Sequence, residues 1–193
     1  MVITGTPSEN DSEIMLLSHI QKGDELAMRT LYSRYVKYLT AICSRYIYCD
    51  EDVKDVLQDI FLKIFSSIDL FEYRGVGSLK GWMAKITLNE SLKFIKRNNH
   101  ITFIEFEYEK MDFPDEEPDT TGLSSSAIHT MIRNLPDGYR TIFNLYVIEG
   151  KSHKEIAELL NIKESTSASQ LHRAKAILAD KIKQYKMINS ISI

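Results

Sequence analysis

Three groups of side chains in this sequence have the types and spacing to do recognition chemistry. Near the C-terminus, Ser169, His172 and Arg173 stand at i, i+3 and i+4, with Ala176 at i+7, so one face of a helix would carry a hydroxyl, an imidazole and a guanidinium. Thr166, Gln170 and Lys175 add a hydroxyl, an amide and an ammonium to the same stretch. At the start of a second helix such groups suit base edges and phosphates in a major groove. Mid-chain, Lys85, Asn89, Lys93 and Lys96 recur at i, i+4, i+8 and i+11, with Lys80, Trp82 and Arg97 beside them. Cations interleaved with an aromatic ring suit single-stranded or melting DNA, where phosphates need charge and unstacked bases need a π surface. The third group is Asp55, Gln58, Asp59 and Leu62, a mixed acidic and apolar face that suits docking on a basic protein surface. Each group alone also fits a plainer reading: an ordinary helical hairpin, a core tryptophan with solvated lysines, and a solvated acidic face.

Covalent chemistry finds no comparable constellation. RGVGSLKG has glycines near a lysine, but it matches neither phosphate-binding glycine pattern and no strand precedes it. DEDVKD lacks the glycine and distal glutamate of a calcium loop. Histidines 19, 100, 129, 153 and 172 show no zinc-ligand spacing, and no Ser/His/Asp or Cys/His arrangement can be inferred. Cys43 and Cys49 lie six apart on one expected helix, off a common face, and read as two reduced thiols. The expectation is a binding protein without cofactor or metal, and not an enzyme.

The elements that must position these groups are helical. Apolar residues recur at helical spacing, interrupted by only 8 Gly and 4 Pro in 193 residues. Helices are expected over 12–21 and 25–47, the second with Leu26, Leu31, Tyr35, Leu39 and Ile42 among its apolar positions. Asp50 can cap a third over 51–67, whose stripe is Val53, Val56, Leu57, Ile60, Phe61, Ile64 and Phe65. Ser78 can cap a fourth running to about 98, with Leu79, Met83, Ile86 and Ile95 inward. After a long acidic stretch come helices at about 123–134, 138–149, 153–160 and 165–187. Ser152 and Glu155 form a capping box, and Asn161 can take the left-handed conformation that ends the helix before the turn. Ser167, Leu171, Ala174 and Leu178 then face inward from the last helix.

Charge divides the chain more sharply than its net −3 suggests. Residues 80–100 carry five bases and one acid, residues 101–122 carry eight acids and one base, and residues 150–193 carry eight bases and four acids. Two basic segments flanking an acidic one are the footprint of phosphate binding at two places. The acidic segment, with two prolines and no helical period, is too long for a connection inside one compact domain. The expected organisation is therefore all-α: a disordered N-terminus over 1–11, a helical domain over 12–100, an acidic linker over 101–122 and a helix-turn-helix domain over 123–187, with the final NSISI frayed. The start, MVITGTPSEN, lacks a basic stretch followed by an apolar core, and no apolar run approaches the ~20 residues that span a bilayer. A cytoplasmic protein without membrane insertion is expected.

Taken in order, these segments resemble the extracytoplasmic-function group of bacterial RNA polymerase sigma factors. EDVKDVLQDIFLKIF resembles region 2.2, which docks on the β′ clamp helices. SLKGWMAKITLNESLKFIKR resembles regions 2.3 and 2.4, which melt and read the minus-ten element. LPDGYRTIFNLYVIEGKSHKEIAELLNIKESTSASQLHRAKAIL resembles region 4, whose helix-turn-helix reads the minus-thirty-five element. The resemblance implies a sigma factor whose partners are the polymerase core (β′ clamp helices and β flap), promoter DNA and an anti-sigma factor. It assigns Asp55, Gln58, Asp59 and Leu62 to the polymerase. Lys80, Trp82, Lys85, Asn89, Lys93, Lys96 and Arg97 go to the minus-ten element, and loop 71–78 to a flipped-out promoter base. Thr166, Ser169, Gln170, His172, Arg173 and Lys175 go to the minus-thirty-five element. The sequence departs from the family pattern in four places: Ala168 and Gln170 replace frequent bases, Ser167 an apolar residue, and Lys163 a capping serine.

Overall fold

A computed structural model describes residues 9–97 and 119–190. Among them every regular element is helical, and the chain divides into two compact units, Met1–Phe94 and Ile95–Ile193. The expected linker, apart from 119–122, lies outside the described residues, as do positions 1–8 of the expected disordered N-terminus.

The first unit begins with α1 (Glu9–Gln21) and α2 (Glu25–Cys43). Gly23, at φ +81°, turns the chain between them. The Asp24 carboxylate then accepts from the Leu26 and Ala27 amides at 2.9 and 3.3 Å, satisfying two donors of the new helix. Leu31, Tyr35, Leu39 and Ile42 are buried along one face of α2, which packs on both α1 and α3 (Asp50–Ser67). Tyr35 donates its hydroxyl hydrogen to Glu13 across the α1–α2 contact at 2.8 Å, which explains how a carboxylate is held buried there. From α3, Val53, Val56, Leu57, Ile60, Phe61 and Ile64 are buried, as the stripe requires, while Phe65 is half-buried. A 3₁₀ turn at Ile68–Leu70 and a loop lead to α4 (Ser78–Arg97). There Ser78 Oγ donates to Gly75 O at 2.7 Å and accepts from Arg74 N at 3.2 Å.

Five expectations in this unit need correction. Helix α2 stops at Cys43, where the pattern tightens into a turn: Arg45 and Tyr46 donate their amides to carbonyls only three residues back, Ile42 O and Cys43 O, at 3.2 and 3.0 Å. Cys43 is therefore buried at a helix end and Cys49 is exposed before α3; they do not share a helix, though both are free thiols. Asp50 is the first residue of α3 rather than its cap; Cys49 holds the cap position without a side-chain capping bond to the helix amides. Leu26, at the solvated first turn of α2, is 72% exposed. On α4, Ile86 is only half-buried, and the inward face is extended by Leu88, Leu92, Thr87 and Ser91. The two hydroxyls are tolerated because each donates to a carbonyl four residues back.

The second unit comprises α5 (Ser125–Arg133), α6 (Asp137–Phe143) running into a π-helical segment at Asn144–Ile148, α7 (His153–Leu160) and α8 (Glu164–Ser190). Its core gathers Met131, Leu135, Ala174, Leu178 and Ile182, and α8 packs against both α6 and α7. Arg140 is buried at the α5–α6 turn. Its guanidinium donates to Arg133 O at 3.0 Å, Leu135 O at 3.1 Å and Asp137 Oδ1 at 2.6 Å. A cation thus satisfies carbonyls at the end of α5, where the helix dipole favours positive charge. The Ser152–Glu155 capping box forms as expected, and Asn161 ends α7 in the left-handed region at φ 56°. Helix α8 extends past the expected 187, through Ser190.

Candidate nucleic-acid interface

On α3 the apolar stripe is spent on the core, and Asp55, Gln58 and Asp59 project to solvent. Leu62 joins them at 68% exposure. A large apolar side chain is thus left exposed beside solvated carboxylates.

Helix α4 divides its polar residues by role. Lys85, Asn89, Lys96 and Arg97 are exposed. Lys80 is exposed too, and its ammonium lies 4.4 Å from the centre of the Tyr38 ring, a cation–π contact that fixes its direction. Trp82 is half-buried, its ring centre 5.1 Å from that of the half-buried Phe71, so part of its surface remains accessible. Lys93 is exposed but committed: it pairs with Glu90 at 2.9 Å, and Lys63 pairs with the same oxygen from α3. Partial burial pushes the Glu90 carboxyl up, but hydrogen bonds from Lys63 and then Lys93 outweigh it and leave the pKa below its usual value. Of the lysines expected to face DNA, Lys93 therefore brings a partly neutralised charge. Its i, i+3 spacing to Glu90 was readable in the sequence, whereas the partnership with Lys63 depends on the fold.

Helix α8 corrects two assignments. Thr166 and Gln170 are buried, at 7% and 3% exposure. The buried positions Ser167, Gln170, Leu171, Ala174 and Leu178 fall on one helical stripe, and Gln170 is the i+3 neighbour of Ser167 on it. Neither Thr166 nor Gln170 presents its side chain to a groove. His172 is exposed and Arg173 half-buried on the opposite face. Ser169 stands with them, half-buried, its hydroxyl donating to Thr166 O at 3.0 Å and keeping its lone pairs for an outside donor. Lys175 is exposed, about 120° round the helix from Ser169 and about 160° from Arg173, but only about 60° from His172. There it edges an apolar groove of about 530 Å³ between α5, the π segment and α8, lined by Ile128, Ile132, Phe143 and Val147. Sequence reading missed that groove, since the π segment turns Tyr146, Val147 and Ile148 outward. It also missed a polar contact inside the helix-turn-helix: His153 Nδ1 and Ser167 Oγ are joined at 2.9 Å, and the His153 ring stacks on Tyr146.

The two units coincide with two family models. Sigma-70 region 2 matches residues 31–101, and Sigma-70 region 4 matches residues 125–178, in that order. The chain belongs to the sigma-70 family. Among curated proteins it is similar to the ECF RNA polymerase sigma-E factor of Haemophilus influenzae, 27% identical over 187 residues and covering 91% of this chain and 97% of that one. The ECF RNA polymerase sigma-E factor of Escherichia coli K12 is likewise 27% identical, covering 91% of this chain and 96% of that one. A solved structure of CnrH in complex with the cytosolic domain of CnrY matches at 21% identity and a TM-score of 0.45, over 88% of this chain and 96% of that one. The chain is thus an extracytoplasmic-function sigma factor, a transcription initiation factor that works with RNA polymerase on promoter DNA. Asp55, Gln58, Asp59, Leu62 and the α4 residues lie within the region 2 match, and Ser169, His172, Arg173 and Lys175 within the region 4 match. No described helix is long and apolar enough to cross a membrane.

Proposed function

We propose that this sigma factor divides promoter recognition among three surfaces and leaves all covalent chemistry to the polymerase. Asp55, Gln58, Asp59 and Leu62 on α3 dock on the β′ clamp helices. Lys80, Trp82, Lys85, Asn89, Lys96 and Arg97 engage the minus-ten strand, with Lys93 in a lesser part. Ser169, His172 and Arg173 enter the major groove at the minus-thirty-five element, with Lys175 beside His172. Residues 101–122 link the domain over 12–100 to that over 123–187 and, being acidic, stay off the DNA. The chain works in the cytoplasm, where polymerase is, and an anti-sigma factor holds it inactive.

The observation that carries this reading is the simultaneous exposure of the α3 acidic face and the α4 basic face in the unit matched by region 2. A solitary operator-binding regulator has use for neither. Melting follows from capture of unstacked bases on Trp82 and of phosphates on the α4 cations. Retention of core polymerase by the immobilised chain, without DNA, tests the docking face. Run-off transcription by core plus this chain on a library of promoter fragments tests the rest. A chain that binds duplex DNA but not core would be an operator-binding regulator instead.

A further inference from the structure

We propose that His153 is a positioning residue that sets the base preference of α8. This rests on α8 reading the minus-thirty-five element. Ser167, in the first turn of α8, is fully buried, so its hydroxyl needs a partner, and His153 Nδ1 supplies one at 2.9 Å. His153 is itself held. It is the first residue of α7, directly after the N-cap Ser152 and enclosed by the Ser152–Glu155 capping box, and its ring lies against Tyr146 at 4.6 Å between centres and 24° between planes. A chain of directed contacts therefore runs from the π segment through the imidazole to the first turn of α8. Two, five and six residues further on come Ser169, His172 and Arg173.

The direction of the contact is what matters. An apolar pair at this place would be satisfied over a range of helix rotations, because burial is non-directional. A hydrogen bond tolerates only about 0.5 Å in length. Side-chain tips on a helix lie about 5–6 Å from its axis, so a rotation of about 10° moves them about 1 Å. That displacement loosens the His153–Ser167 bond and, on the opposite face, carries His172 and Arg173 out of register with a base edge. The same bond that satisfies the buried hydroxyl thus fixes which edges the recognition residues reach, and His153 touches no DNA in doing so.

The test is an in vitro selection with holoenzyme, assembled from core polymerase and this chain, on promoter fragments randomised separately at the minus-thirty-five and minus-ten positions. His153→Phe keeps a ring against Tyr146 and removes the hydrogen bond; Ser167→Ala removes its other end with the smallest change in volume. Both should flatten or shift the minus-thirty-five base preference and lower transcription from the wild type's best fragment by about fivefold, the equivalent of one lost hydrogen bond. The minus-ten preference should stay unchanged. His153→Asn, which returns a polar atom near Nδ1, should restore the wild-type preference, and the double variant should lose no more than either single one. Weaker transcription with an unaltered minus-thirty-five preference in both single variants would make the contact merely structural and overturn the proposal. A wild type that selects minus-ten sequences but nothing at minus-thirty-five would instead overturn the reading of α8 on which it rests.

Discussion

Arg140 shows how much one side chain can carry. Three of its hydrogen bonds close the α5–α6 turn from inside, and two of those acceptors are backbone carbonyls. Arg140→Met should cost about 3 kcal/mol, because those carbonyls and Asp137 lose their donors. Urea unfolding followed by circular dichroism should record the loss, while Trp82 fluorescence, which reports the first unit, stays in place. An unchanged dichroism midpoint would show that water replaces the guanidinium without cost. Tyr35 offers a test by pH. Burial, and then the hydrogen bond to Glu13, push its hydroxyl up from 10.0 to about 12. A group raised in the folded state adds stability below its unfolded value and loses it as pH rises through the folded one. The first unit should therefore lose stability between about pH 10 and 12. Tyr35→Phe should start less stable, with Glu13 left unpartnered, but show a shallower decline over that window.

At the scale of elements, α3 separates folding from function most cleanly. Its stripe is buried without help from Asp55 or Asp59, so a charge reversal at both should leave helicity intact. Core binding by Asp55→Lys/Asp59→Lys should fall at least tenfold, read by competition with the wild-type chain; equal affinity would remove this face from the interface. The α3 stripe and the α7 capping box were legible because both are written in short-range spacing. So was Asn161, whose left-handed conformation needs only its own backbone and a short side chain. What escaped depended on partners distant in sequence or on competing local bonds. The end of α2 was set by a turn at Ser44, not by loss of apolar period. Gln170 looked solvent-facing by its chemistry, yet its helical position puts it on the buried stripe. The π segment has no signature in NLYVI, and without it the outward turn of Tyr146 and Val147 could not be foreseen.

For the whole molecule, recognition should separate into two steps carried by the two units. If polymerase holds the two proposed DNA-reading surfaces at once, engagement of one promoter element raises the effective concentration of the other, and neither needs high affinity alone. Arg173→Ala should reduce transcription through the minus-thirty-five element by about 1–3 kcal/mol if the guanidinium reads a base in bidentate fashion. Asn89→Ala should impair opening. On a template pre-melted around the minus-ten element, the Asn89 variant should recover most of its activity and the Arg173 variant much less. Equal recovery by both, with melting temperatures unchanged, would end this division of labour.

The contact between Cys43 and Ser91 has a use beyond packing. Cys43 Sγ lies 3.5 Å from Ser91 Oγ, fully shielded where α2 meets α4, and burial raises its thiol pKa. An alkylating reagent needs an exposed thiolate, so the native state is closed to it at this position. Cys49, exposed, is open to it at once. With Cys49→Ser, the chain becomes its own stopwatch: covalent labelling of Cys43 can advance only when the first unit opens, and the labelling rate measures how often that happens. Polymerase bound to α3 should slow the stopwatch by stabilising the closed unit, which gives a reading of holoenzyme assembly that requires neither promoter nor transcript.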